Sequence, residues 1–220
     1  MNDVIVDICG TLFSSNTTFD FVKWLHKDSR KYSVFVYIYH TKVWRALNRL
    51  SKRWFDVDLT RNLIVYQLKG LSCEQLEYLA KEFYYDYLIN KINNEVYSII
   101  QNYEKEGKNL IIVSATIYPL AKEIASNFNI EEFYATELFF EGNKCNGKIK
   151  NDLLGKKKRV LKNKQPWACI TDDFSDEELL KMAKEQIIVV YPQTAYRWNL
   201  KCKKELEKAH KVYIKNRLTY

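Results

Sequence analysis

With 220 residues, of which 47% are hydrophobic and 28% charged, and with only six Gly and three Pro, the chain can bury a proper core and shows no low-complexity character. Its formal charge of +8 points to an anionic partner, and no nucleic-acid recognition motif accompanies that charge, so no nucleic acid is expected. Five scattered cysteines (Cys9, Cys73, Cys145, Cys169, Cys202) form no CxxC pair, which argues against a zinc site and for reduced thiols in a cytoplasmic protein.

Val4-Ile5-Val6 reads as a buried strand that delivers Asp7 and breaks at Gly10-Thr11, and no signal peptide precedes it. The polar turn Ser14 to Thr18 offers N-caps for a helix to about His26. Tyr32 to Leu50 reads as one basic amphipathic helix whose β-branched start could open as a strand, and Leu59 to Leu68 as a further helix. The apolar run Ser33 to Tyr39 is far short of the roughly 20 residues that cross a bilayer. A capping box at Ser72 and Gln75 opens a helical pattern that runs to Gly107, with a break at Asn93-Asn94.

Beyond Gly107 strands and helices alternate. Asn109 to Ser114 reads as a strand, Pro119 opens a helix to Phe128, and Phe133-Tyr134 is a short strand. Glu137 to Phe140 and Lys144 to Lys150 form a hairpin. A helix over Gly155 to Lys162 leads to the strand Trp167 to Thr171, a helix Asp176 to Glu185 to the strand Ile187 to Tyr191, and Lys201 to Val212 is a last helix. The expected fold is α/β, a Rossmann-like core with a central parallel sheet (1–15 and 106–220) and an α-helical cap (16–105) inserted after the first strand.

Asp-x-x-Gly-Thr-Leu after an apolar strand, Ser114 closing a second strand, a lysine within Gly155 to Leu161, and Thr171-Asp172 with Asp176 four residues after Asp172 resemble, in order, the four motifs of the haloacid dehalogenase superfamily, and most closely its phosphoserine phosphatase branch. The resemblance implies a phosphatase in which Asp7 forms an aspartyl-phosphate, and Mg²⁺ held by Asp7, the carbonyl of Cys9 and Asp172, with Asp176 orienting the metal shell or the lysine. Gly10, Thr11, Ser114 and Ala115 would hold the phosphate. For the lysine, counting from Gly155 gives Lys158 and counting back from Leu161 gives Lys157; Lys158 is preferred. Asp173 reads as an exposed charge at a helix start.

The chain departs from the family where a second Asp, the proton donor and water activator, is replaced by Cys9. Three readings stay open: a phosphatase for good leaving groups or one that uses substrate assistance, a phosphotransferase with a long-lived aspartyl-phosphate, and a phosphate-binding scaffold without turnover. Residues 23 to 69 carry eleven Lys/Arg against Asp28, Asp56 and Asp58. The aromatics interleaved with these bases either pack the cap, the preferred reading, or dock on an anionic membrane or partner. The resemblance implies a small phosphorylated substrate, with a lipid phosphate or sugar phosphate as candidates.

Overall fold

The computed structural model describes residues 2–161 and 165–215. In chain order it contains β1 (Asp3–Val6), α1 (Thr17–Leu25), α2 (Arg30–Tyr39), α3 (Lys42–Phe55), α4 (Leu59–Tyr66), α5 (Cys73–Asp86) and, after a 3₁₀ turn at Leu88–Lys91, α6 (Asn94–Lys105). The second half runs β2 (Asn109–Ile117), α7 (Tyr118–Asn127), β3 (Glu132–Glu141), β4 (Lys144–Asn151), a 3₁₀ turn (Lys157–Leu161), β5 (Ala168–Thr171), a 3₁₀ turn (Phe174–Asp176), α8 (Glu177–Met182), β6 (Glu185–Val190), α9 (Ala195–Glu205) and β7 (His210–Tyr213).

The strands form one sheet in the order β4-β3-β2-β1-β5-β6-β7, in which only β4 runs antiparallel to its neighbour. β1 is central, as the right-handed crossover rule leads one to expect. Its side chains alternate between two cores. Val4 and Val6 pack with Ile112, Ile170 and Val189 under α1 and α4 to α7, while Ile5 packs with Ile111, Val113 and Ile188 under α8 and α9. Both faces of a parallel sheet are covered in this way, which is why its strands read as continuous apolar runs. Within the expected insertion, 16–105, α6 also packs against the sheet: Val96, Ile100 and Tyr103 join the first core, and the Tyr103 hydroxyl donates to Glu185 at 2.5 Å.

Several elements differ from the sequence expectation for local reasons. The single helix expected over Tyr32 to Leu50 is two, because Thr41 interrupts it. Its hydroxyl donates to the Ile38 carbonyl at 2.8 Å and accepts the Trp44 N–H at 3.2 Å, capping α3. The two short strands expected around 133–140 are one strand, β3. The helix expected over Gly155 to Lys162 is a single 3₁₀ turn, and Lys162 lies outside the described residues. α8 stops at Met182, where Ala183 turns extended at ψ 146°. The expected last helix over Lys201 to Val212 is instead the end of α9 followed by β7, whose Val212 pairs with Val189 at the edge of the sheet; residues 216–220 of the basic tail lie outside the described residues.

Candidate active site

Register explains why the polar residues meet. Val6 pairs with Ile112 of β2 and with Ile170 of β5, so Asp7 emerges at the carboxyl edge level with Val113 and Thr171. Ser114 and Asp172 follow one residue later on either side. The chain leaves β1 in one direction for β2 and later returns to its other side for β5, the kind of switch point at which open parallel sheets form a crevice. A cavity of about 370 Å³ lies there, walled on one side by Asp7, Cys9, Ser114, Ala115, Lys157 and Asp172. The insertion supplies the opposite wall through Thr18 and Phe19 of α1, Lys52 of α3 and Arg61 of α4.

Asp7 is buried, and its Oδ2 lies 2.7 Å from Nζ of Lys157. The same ammonium donates to Oδ2 of Asp176 at 2.6 Å, and that oxygen also accepts from the Thr171 hydroxyl at 2.7 Å. Burial opposes the charge of Lys157, but the carboxylates of Asp7 and Asp176 outweigh it and hold its pKa above the ordinary lysine value. For Asp176 burial raises the carboxyl pKa, against the pull of Lys157. Its Oδ1 is buried with no hydrogen-bond partner among the described residues.

Asp172 faces Asp7, and among the described residues no ammonium or guanidinium is hydrogen-bonded to it. Burial, and then the charge of Asp7, push its carboxyl well above the ordinary range. Thr11 grips it twice: the Thr11 hydroxyl donates to Oδ1 at 3.1 Å and accepts the Asp172 N–H at 2.9 Å. The indole of Trp198 donates to the Asp172 carbonyl at 3.2 Å. Gly10, at φ +67°, passes so close that a Cβ would sit 2.2 Å from Oδ2 of Asp172, so both its backbone conformation and its missing side chain are required. Asn93 fixes this loop from behind, donating to the Thr11 carbonyl at 2.5 Å and to the Tyr191 hydroxyl at 3.0 Å.

The thiol of Cys9 is held at 2.9 Å from the Thr17 hydroxyl and 3.8 Å from that of Thr116, and Thr116 is itself hydrogen-bonded to Thr17. Desolvation and then the charge of Asp7 raise the thiol pKa, against the Thr17 hydrogen bond. Arg61 is buried in the cavity wall and latches α4 to the strand tips. It donates to both carboxylate oxygens of Asp152, at 3.2 and 3.0 Å, to the Ala115 carbonyl at 2.6 Å and to Thr136 at 3.0 Å.

Of the two lysines weighed from the sequence, the cavity holds Lys157. The preferred Lys158 points away and pairs with Glu178 at 3.1 Å on the exposed side of the 3₁₀ turn. Lys157 lies four residues before the buried Leu161, and that spacing was the available signal. Asp173, expected as an exposed charge, is half-buried at the cavity, where its carboxylate accepts the Ser175 N–H at 2.8 Å. Arg61, Thr17, Thr116 and Asn93 carry no motif and were not anticipated. Among the described residues no three His, Cys, Asp or Glu side chains cluster as a metal site; the acids that line the cavity are Asp7, Asp58, Asp172 and Asp173.

A family model described as haloacid dehalogenase-like hydrolase matches residues 4–180. Among solved structures the chain is similar to a protein with unknown function from Bordetella pertussis Tohama I, with 15% identity, a TM-score of 0.69, and coverage of 94% of this chain and 96% of that one. It is also similar to a HAD family hydrolase from Salmonella enterica serovar Typhi (13% identity, TM-score 0.61, 96% and 67% coverage). A phosphoserine phosphatase solved as a phospho-aspartyl intermediate analogue aligns with 17% identity, a TM-score of 0.56, and 98% and 94% coverage. At these identities the likeness is one of fold. A comparison with curated proteins gives no significant match.

Proposed function

The chain belongs to the haloacid dehalogenase-like hydrolase family, and from that premise we propose that it is a phosphatase that hydrolyses a small phosphorylated substrate through an aspartyl-phosphate on Asp7. The observation that carries the reading is the convergence on one cavity of a buried carboxylate, Asp7, an ammonium 2.7 Å from it, and a second buried carboxylate, Asp172. Phosphoryl transfer needs a nucleophile, positive charge for the phosphoryl oxygens and donors that hold them in line. Asp7 is the nucleophile, Lys157 the fixed cation, and the Ser114 hydroxyl a donor.

The donor set suits a hard cation, and we take it to be Mg²⁺, which is held by one or two carboxylates and otherwise keeps its waters. Asp7, Asp172 and the Cys9 carbonyl would hold it. The fit rests on Asp172, a carboxylate buried against Asp7 to which no positive side chain among the described residues is bonded, and on Gly10, whose lack of a Cβ keeps the space beside Oδ2 open. When bound, the cation neutralises charge on the transferring phosphoryl group. Asp176 acts from behind, fixing Lys157.

In the first step an Asp7 oxygen bonds to phosphorus as the bond to the leaving oxygen breaks. Water then attacks phosphorus, releasing phosphate and restoring the carboxylate. The leaving oxygen and the attacking water are served by Cys9, a thiol with a raised pKa, which is a poor proton donor and, while protonated, no base. The enzyme is therefore selective for leaving groups that depart without a proton, and its aspartyl-phosphate is long-lived. The test is hydrolysis of para-nitrophenyl phosphate: activity is expected with Mg²⁺, lost on chelation and restored by Mg²⁺. No hydrolysis with any divalent cation would contradict the reading.

A further inference from the structure

α3 is attached to the rest of the molecule by its polar side. Trp44 donates from its indole to Thr60 at 2.9 Å, Asn48 donates to Asp58 at 3.1 Å, and Lys52 pairs with Asp58 at 2.6 Å. Burial opposes the charge of Asp58, yet the hydrogen bonds from Lys52 and from the Arg61 N–H hold its carboxyl below the usual range, a mark of a firm attachment. No residue of α3 is buried. Its apolar residues Val43, Leu47, Leu50 and Trp54 recur at four, three and four residues, so they form one stripe, and they are 71%, 50%, 53% and 73% exposed. A helix that only completed the fold would turn that stripe inward.

α2 continues the same surface. Its Tyr32, Phe35, Val36 and Tyr39 pack on the first core, but Val34, Tyr37 and Ile38 on the other side are exposed. Between residues 30 and 55 the chain has seven Lys/Arg and no acid. That charge disfavours pairing with a second copy of the same face and suits a negatively charged surface.

We propose that the α2–α3 hairpin is a membrane-docking element that lies in the interface of an anionic phospholipid bilayer. The apolar stripe sits at the headgroup boundary, and the flanking bases meet the lipid phosphates. Among the described residues no helix is long and apolar enough to cross a membrane, so the hairpin lies on the bilayer. Lys52, two residues from both Leu50 and Trp54 and therefore on the opposite side of α3, lines the cavity. The docking helix is thus also a wall of the site.

The test is co-sedimentation of the full chain with phosphatidylcholine vesicles, with and without phosphatidylserine, at low and high salt. Binding is expected only with phosphatidylserine, and each Lys/Arg at the surface contributes roughly fivefold, so high salt should weaken it strongly. Leu47→Ser with Leu50→Ser should weaken partitioning by about tenfold or more. Both side chains are exposed, so circular dichroism and the melting temperature should not change. No binding to either vesicle by the folded wild type would overturn the proposal, as would equal, salt-insensitive binding to both. A dimer in analytical ultracentrifugation that the double substitution dissociates, without vesicle binding, would assign the stripe to a second copy and overturn it equally.

Discussion

Nζ of Lys157 lies 2.7 Å from Oδ2 of Asp7, and it is held there by a second carboxylate, Asp176, at 2.6 Å on its other side. An ammonium fixed between two acids cannot swing out to solvent, and its charge is in place before substrate arrives. Lys157→Met should lower kcat for an aryl phosphate by about 10²- to 10³-fold, the range for loss of one preorganised electrostatic group. Lys158→Met should change kcat less than about twofold, since that side chain is exposed and pairs with exposed Glu178. Steady-state kinetics of the two variants checks the assignment, and the reverse order of effects would contradict it.

The Cys9 thiol lies between the hydroxyls of Thr17 and Thr116, and in the proposed mechanism it is the group from which a proton would reach the leaving oxygen. A positioned carboxyl acid–base typically contributes about 10²- to 10⁴-fold. Cys9→Asp should therefore raise turnover of alkyl phosphates by at least about tenfold while changing that of an aryl phosphate much less. The ratio of the two rates in wild type and variant is the measurement. An unchanged ratio in a folded, metal-binding variant would show that the missing acid does not limit the reaction.

Asp172 predicts a pH dependence. Its folded-state pKa is raised by burial and by Asp7, so between the unfolded value of about 3.9 and the folded one the native protein holds a proton that the unfolded chain has released. This group's contribution to the stability of the metal-free protein is thus most favourable at low pH and falls as pH rises through that window. Asp172→Asn keeps an oxygen for the Thr11 hydroxyl and removes the charge. It should raise the melting temperature at pH 7 in chelator, by about 2–4 °C for each kcal/mol relieved, with little change near pH 4, and it should abolish Mg²⁺-dependent activity. Thermal melts at the two pH values check this; a lower melting temperature at pH 7 would contradict it.

The sheet and the acid pair were legible because their signals are local. An apolar run that ends in a carboxylate marks the tips of β1 and β5, and the order of the four motifs placed Asp7 and Asp172 at one site. The choice of lysine was not, because three consecutive lysines precede Arg159 and the turn is 3₁₀, so counts from Gly155 and from Leu161 disagree. Arg61 was invisible because its partners Asp152, Thr136 and Ala115 are more than fifty residues away. β7 was hidden because its four residues, His210 to Tyr213, lie in a basic run that reads as helical surface. Of the amphipathic pattern over Tyr32 to Leu50, Tyr32, Phe35 and Tyr39 pack on the first core while Val43, Leu47 and Leu50 of α3 are exposed: periodicity reports that a face exists and is silent on what covers it.

The central claim is that phosphoryl passes to Asp7, and trapping that intermediate tests it most directly. Wild type mixed with Mg²⁺ and an aryl phosphate, quenched in acid and mapped by peptide mass, should carry one phosphoryl group on the peptide containing Asp7. The group should accumulate because Cys9 is slow to activate water, and it should be absent from Asp7→Asn, which should also lose turnover. Phosphoryl on another peptide, or continued hydrolysis by folded Asp7→Asn, would contradict the account.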